Sequence, residues 1–158
     1  MSVTIRAATR DDVDPLASLR PAVHDQHVMA HPEFFKPVTR AAARADAETW
    51  LQQENAHVRI AVADGETVGY LLAYVYVRPE GGLVHARRTL HIDQIAVLES
   101  HRGRGCGTAL LGAARTLARE LGVDTIDLEV WDFNERARRF FIGQGFVPFR
   151  ERLAQALT

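Results

Sequence analysis

The chain holds 158 residues, 47% hydrophobic and 25% charged, which is the size and make-up of one compact domain with no room for a second full one. Nineteen Lys and Arg against 20 Asp and Glu leave a net charge of −1, which recommends neither a nucleic acid nor an anionic membrane as partner. The single cysteine, Cys106, excludes an intramolecular disulfide framework and any multi-cysteine metal site.

The opening MSVTIRAATRDDVD offers no apolar run to a signal peptide, and the longest greasy stretch, Val68 to Val77, is half a membrane span, so a cytoplasmic protein is expected. Val3 to Ala7 reads as a short strand. Thr9 with Asp12 opens a helix whose apolar side carries Val13, Leu16 and Ala17, and Pro21 weakens its continuation. His24 to Val38, with its two prolines, reads as a helix end plus loop. Thr39 caps an alanine-rich helix with Ala43, Ala47, Trp50 and Leu51 on one side. Val58 to Ala63 and Val68 to Val77 flank Asp64-Gly65 and read as a hairpin. Leu90 to Leu98 and Thr125 to Trp131 are strands, joined by a helix bearing Leu110, Leu111, Ala114, Leu117, Ala118 and Leu121. Strand, helix, strand in that order implies a right-handed crossover and a parallel pair inside a mixed sheet. A further helix over Asn134 to Gln144 and a last strand over Phe146 to Leu153 complete an α/β domain spanning 3–158.

The chemistry starts at RGRGCGT, Arg102 to Thr108, between a strand and a long amphipathic helix. Gly103, Gly105 and Gly107 let backbone approach a ligand, the helix start presents unpaired N–H groups, and Arg102 and Arg104 add charge, which together make an anion cradle. A Walker loop would need Lys before the Thr, and a dinucleotide fingerprint would need its third glycine where Cys106 or Thr108 stands. A glycine turn with no ligand is the bland alternative.

Arg102, Gly105 and Gly107 in the spacing Arg-x-x-Gly-x-Gly, preceded by the strand HIDQIAVLES, resemble the acyl-CoA loop of the GNAT superfamily of N-acetyltransferases. Asn134, Ala137, Phe140 and Gly145-Phe146 resemble that family's Asn-x-x-Ala-x-x-Phe-Tyr-x-x-x-Gly-Phe pattern. The resemblance implies a single-domain mixed sheet, splayed at its centre, with helices on both faces. It implies acetyl-CoA as acyl donor, with the pantetheine arm on the backbone of Ile95, Ala96 and Val97. The pyrophosphate would lie on Arg102, Gly103, Arg104, Gly105, Cys106, Gly107 and Thr108, and Asn134, Phe140 and Phe141 would border the cofactor. The partner is then an amine acceptor, of a small molecule or a peptide, and a homodimer stays open. In related enzymes the first two helices and their loop wall the acceptor, which here offers His27, Phe34 and Phe35 beside His24 and His31. The three histidines are not read as a metal site.

An amine of pKa ~10.4 costs ~3.4 units, or roughly 4.6 kcal/mol, to present neutral at pH 7, so a base is required. By strict alternation 91, 93, 95 and 97 share a face, which sets His91 and Asp93 side by side along the expected thioester track. Some family members acting on small amines carry a base eleven residues before the loop Arg or Gln, which the resemblance places at His91. His91 accepts the proton in this reading and Asp93 tunes it or acts through a water; a strand histidine with only structural bonds, and Asp93 as a plain cross-strand partner, are the alternatives. Glu99 is a third candidate. The family often carries Tyr as general acid where this chain has Phe141, which leaves open a working enzyme using another acid and a CoA-binding module with little catalysis.

Overall fold

The computed structural model describes residues 2–157; Thr158, the last residue of the expected domain, lies outside them. Five strands, β1 (Val3–Ala7), β2 (Ala56–Ala63), β3 (Glu66–Arg78), β4 (Arg87–Val97) and β5 (Thr125–Leu128), form one sheet in the order β1-β2-β3-β4-β5. The first four run antiparallel and β4–β5 is parallel. The α/β domain with a mixed sheet is thus as expected, and β2 and β3 close on the two-residue Asp64-Gly65 turn.

Helices cover both faces. α4 (Cys106–Glu120) buries Leu110, Leu111, Ala114, Leu117 and Ala118 at helical spacing and lies across all five strands. Its core takes in Leu71, Ala73, Leu90 and Ile92, with residues of α5 (Glu135–Gly143). On the other face α1 (Val13–Leu19) and α3 (Arg40–Gln52) bury Leu16, Leu19, Ala47 and Trp50 against Ile60, Tyr70 and Leu72. Thr39 caps α3 by accepting from the Ala42 amide at 3.1 Å. Asp12 lies between β1 and α1. Its carboxylate takes both Nη atoms of Arg6 at 2.8 Å and the Thr9 amide at 2.7 Å, which together hold its pKa below the usual carboxylate range.

Three expectations are corrected. α1 stops at Leu19, ahead of Pro21, but where only a weakened continuation was expected Pro21 opens a second helix, α2 (Pro21–Ala30), because the first helical position needs no N–H. The last strand, Phe146 to Leu153, is not formed: among the described residues 145–157 carry no strand, since Pro148 removes a ladder donor and no neighbouring strand pairs with the segment. Strict alternation along β4 also fails. Leu72 pairs with Gln94 and Ala73 with Ile92, so Asp93 is an extra residue, a β-bulge. Leu90 and Ile92 face α4 before it and Ile95 and Val97 after it, while Ala96 joins the α1–α3 side. The shared face of 91, 93, 95 and 97 therefore does not exist.

Candidate active site

The parallel β4–β5 pairing runs from Thr89↔Thr125 to Ile92↔Leu128 and stops at the bulge, although β4 continues to Val97. Beyond that point Ile95, Ala96 and Val97 pair only with β3, at Leu71, Tyr70 and Gly69, and the β4 edge that faced β5 has no strand partner. The sheet is open there, between its fourth and last strands. Unpaired backbone N–H and C=O along such an edge is a template for a ligand that carries amides.

At the end of that edge a short 3-10 turn, Glu99–His101, leads into the glycine loop. Gly105 is the residue before α4, with φ 84°, a left-handed conformation that side chains resist, and no side chain caps the helix start. A Cβ at Gly103 or Gly105 would meet nothing within 4 Å, so the turn is open in front. The uncapped first-turn amides and the helix dipole point at that opening, which suits an anion. Arg102 turns its Nε back onto the Val97 carbonyl at 3.0 Å and braces the loop against β4. Thr108 lies in the first turn with its hydroxyl taking Gln144 Nε2 at 3.2 Å. The Cys106 side chain is buried in the α4 core.

Gly107 serves differently from the open turn. A Cβ there would stand 3.0 Å from the Phe140 Cζ, so what approaches this backbone is the Phe140 ring. Asn134 caps α5 by accepting from the Ala137 amide at 3.1 Å. Phe141, 7% exposed, packs edge-on against Phe146 at 5.6 Å in the α4 core.

His91 faces away from Leu90 and Ile92, toward the α1–α3 side. Its Nδ1 lies 2.8 Å from Asp127 Oδ1, across the His91↔Asp127 pair of the parallel ladder. A carboxylate there holds the proton on Nδ1 and leaves the Nε2 lone pair free to accept one. The Tyr76 ring is centred 5.7 Å from the imidazole. Asp93 is not the partner of His91. Its Oδ2 accepts from Gln94 Nε2 at 3.0 Å, and Gln94 Oε1 accepts from Tyr70 OH at 2.6 Å. Burial pushes the Tyr70 hydroxyl up to about 12, so it stays a neutral donor. Glu99 is exposed on its turn.

The residues expected to wall an acceptor lie together, with aromatic neighbours that the sequence did not suggest. His27, Phe34 and Phe35, with His31, pack against Trp131 and Phe133 from the segment after β5; centroids lie 5.2 Å apart for His27–Phe35 and 5.3 Å for Phe35–Trp131. Phe34 stays 73% exposed. His24 and His27 bond the Lys36 and Val23 carbonyls, and His31 Nδ1 lies 2.9 Å from Glu33 Oε1. Among the described residues no three His, Cys, Asp or Glu side chains stand where they could hold a metal ion.

Asp127, Gln94, Tyr70, Tyr76, Trp131 and Phe133 were not singled out from the sequence. A usable signal existed for Asp127, a carboxylate midway along TIDLEVW, and for Trp131 and Phe133, two aromatic rings just past that strand.

A family model described as the acetyltransferase (GNAT) family matches residues 23–146. The aminoalkylphosphonate N-acetyltransferase of Salmonella typhimurium is 28% identical over 152 residues, covering 94% of this chain and 96% of the relative. The solved BH1408 protein of Bacillus halodurans, a tetramutant, superposes with a TM-score of 0.92 at 28% identity, over 98% of this chain and 99% of its own. An aminoglycoside N-acetyltransferase, AAC(6')-Iy, solved in complex with CoA, superposes with a TM-score of 0.80 at 20% identity over 99% of this chain and 95% of its own, a likeness of fold.

Proposed function

The chain belongs to the acetyltransferase (GNAT) family, and from that premise we propose that it is an acetyl-CoA-dependent N-acetyltransferase acting on a primary amine by direct attack in a ternary complex. One observation carries this reading: the β4 edge from Ile95 to Val97, which no strand of the described residues pairs, runs into an uncapped helix start behind an open glycine turn. The first offers hydrogen bonds to the amides of a pantetheine arm, and the second holds a pyrophosphate. Acetyl-CoA brings an activated thioester; the chain brings the rest. Amides of the β4 edge polarise the carbonyl, and His91 Nε2 takes the ammonium proton while Asp127 keeps the ring oriented. The departing thiolate, of reference pKa ~8.5, needs only ~2 kcal/mol of protonation at pH 7, which water can supply in place of the hydroxyl that Phe141 lacks. The relative named for aminoalkylphosphonates supports a small-molecule acceptor. The buried single cysteine suits a cytoplasmic setting.

A second reading, a CoA-binding module with little catalysis, is favoured by Phe141 alone. Calorimetry and product analysis separate the two. Acetyl-CoA is expected to bind the wild type, and Gly105→Glu, which sets a carboxylate against the pyrophosphate, is expected to weaken binding more than about a hundredfold in a protein that still melts cooperatively. Equal affinity in the variant overturns the loop assignment. Binding with no amine ever acetylated favours the module.

A further inference from the structure

Upstream of the bulge, on the strand face that carries His91, the sheet holds an open cleft of about 260 Å³. Its walls bring together Arg78, Arg87 and Arg150, with the Tyr76 and Phe149 rings between them and Asp127 at one end. The registers explain the assembly. Arg78 pairs with Arg87, Tyr76 with Thr89, and Asp127 with His91, so alternate residues of three neighbouring strands face one space, and residues 149–150 lie at its rim.

The electrostatics are one-sided. Among the described residues none of the three arginines forms an ion pair. Arg78 Nη2 donates only to the His85 carbonyl at 3.3 Å, and Arg87 Nη2 to the Thr125 hydroxyl at 2.9 Å, with its guanidinium 5.8 Å from the Phe149 ring centre. The single acid of the cleft, Asp127, is committed to His91. Three guanidiniums held without a carboxylate form a site for an oxyanion.

The position gives this meaning. Arg87's guanidinium is tied to Thr125, two residues before Asp127 on β5, so the anion site and the imidazole stand about 7 Å apart along the strands. From Arg87 to Val97, by contrast, β4 runs about 30 Å, too far for the cleft to take the pyrophosphate. We propose that the cleft is the acceptor subsite for an anionic group, so that the substrate is a small amine bearing a carboxylate or a phosphonate a few bonds from its nitrogen. This rests on the N-acetyltransferase reading and names the acceptor class for it.

The test compares three amines matched in length, n-propylamine, β-alanine and 2-aminoethylphosphonate, by release of CoA thiol. At least one acid is expected to exceed propylamine in kcat/KM by more than about tenfold, the effect of one charge-assisted hydrogen bond or more, and which acid leads distinguishes carboxylate from phosphonate. Arg87→Gln and Arg150→Gln are expected to collapse that ratio, chiefly through KM. A ratio near one in the wild type, or one that survives both substitutions, overturns the proposal. If no amine of any charge consumes acetyl-CoA, the enzymatic reading fails. Calorimetry then decides the cleft by itself: methylphosphonate or propionate binding the wild type and not Arg87→Gln supports the anion site, and no binding to the wild type overturns it.

Discussion

His91 and Asp127 act as one unit in the proposed chemistry, and each contributes something measurable. His91→Ala is expected to lower turnover by roughly 10²–10⁴-fold with acetyl-CoA affinity nearly intact, the range for loss of a positioned proton acceptor. Asp127→Asn removes the acceptor that orients the imidazole through Nδ1, so its kcat/KM is expected to fall, though less than in His91→Ala. A kcat/KM unchanged in Asp127→Asn would sink the pairing. His91 stood out as a candidate because the family resemblance puts a base eleven residues before Arg102. Its partner did not, since that contact spans 36 residues and depends on the register of two parallel strands. Asp93 looked like the partner only as long as β4 alternated without interruption.

At the level of elements, the hinge between β1 and α1 depends on Asp12, buried to 4% exposure and bonded to Arg6 and the Thr9 amide. Asp12→Asn keeps the shape and loses the charge, and is expected to cost about 1–3 kcal/mol in urea unfolding at pH 7. The pH window follows from the sign. A carboxylate whose folded pKa is lowered stabilises fully above its unfolded pKa, ~3.9, and loses that contribution as pH falls through the folded value. The gap between wild type and variant is therefore expected to be full above about pH 5 and to close in strong acid; a gap independent of pH argues that shape alone matters. Most elements were legible because each carries its own period: α4 its 3.6-residue stripe, β2 and β3 their Asp-Gly turn. The final segment was misread because Phe146, Val147 and Phe149 have strand-forming side chains, whereas a strand exists only with a neighbour to pair with.

For the whole molecule, two cores on opposite faces share one sheet that is sealed at β1–β4 and open where β4 and β5 part. A ligand filling that opening joins both halves and prefers the folded state. At a concentration a hundredfold above its Kd, acetyl-CoA is expected to add about 2.7 kcal/mol of stability, which for a domain of this size raises Tm by roughly 5–10 °C. Scanning calorimetry with acetyl-CoA, and with ATP as a control for generic anion binding, checks this; an equal rise with ATP would point to an unselective phosphate site. The tail also leaves Val147 79% and Phe149 81% exposed, so light scattering over a range of concentrations is the direct measure of whether two copies associate through it.

The extra residue at Asp93 makes β4 a text read in two frames. Before it, odd positions address one side of the sheet; after it, even positions do. A substitution at 93 leaves both frames in place, and removal of the residue merges them: Gln94 then follows Ile92 directly, so plain alternation keeps Ile95 and Val97 toward α4 and Ala96 on the other side, while the kink and its unpaired residue are lost. Asp93→Ala and the single-residue deletion are therefore both expected to melt cooperatively, the substitution within a few degrees of wild type. A deletion variant that loses cooperative melting would mean that the bulge itself, and not the alternation on either side of it, holds the strand.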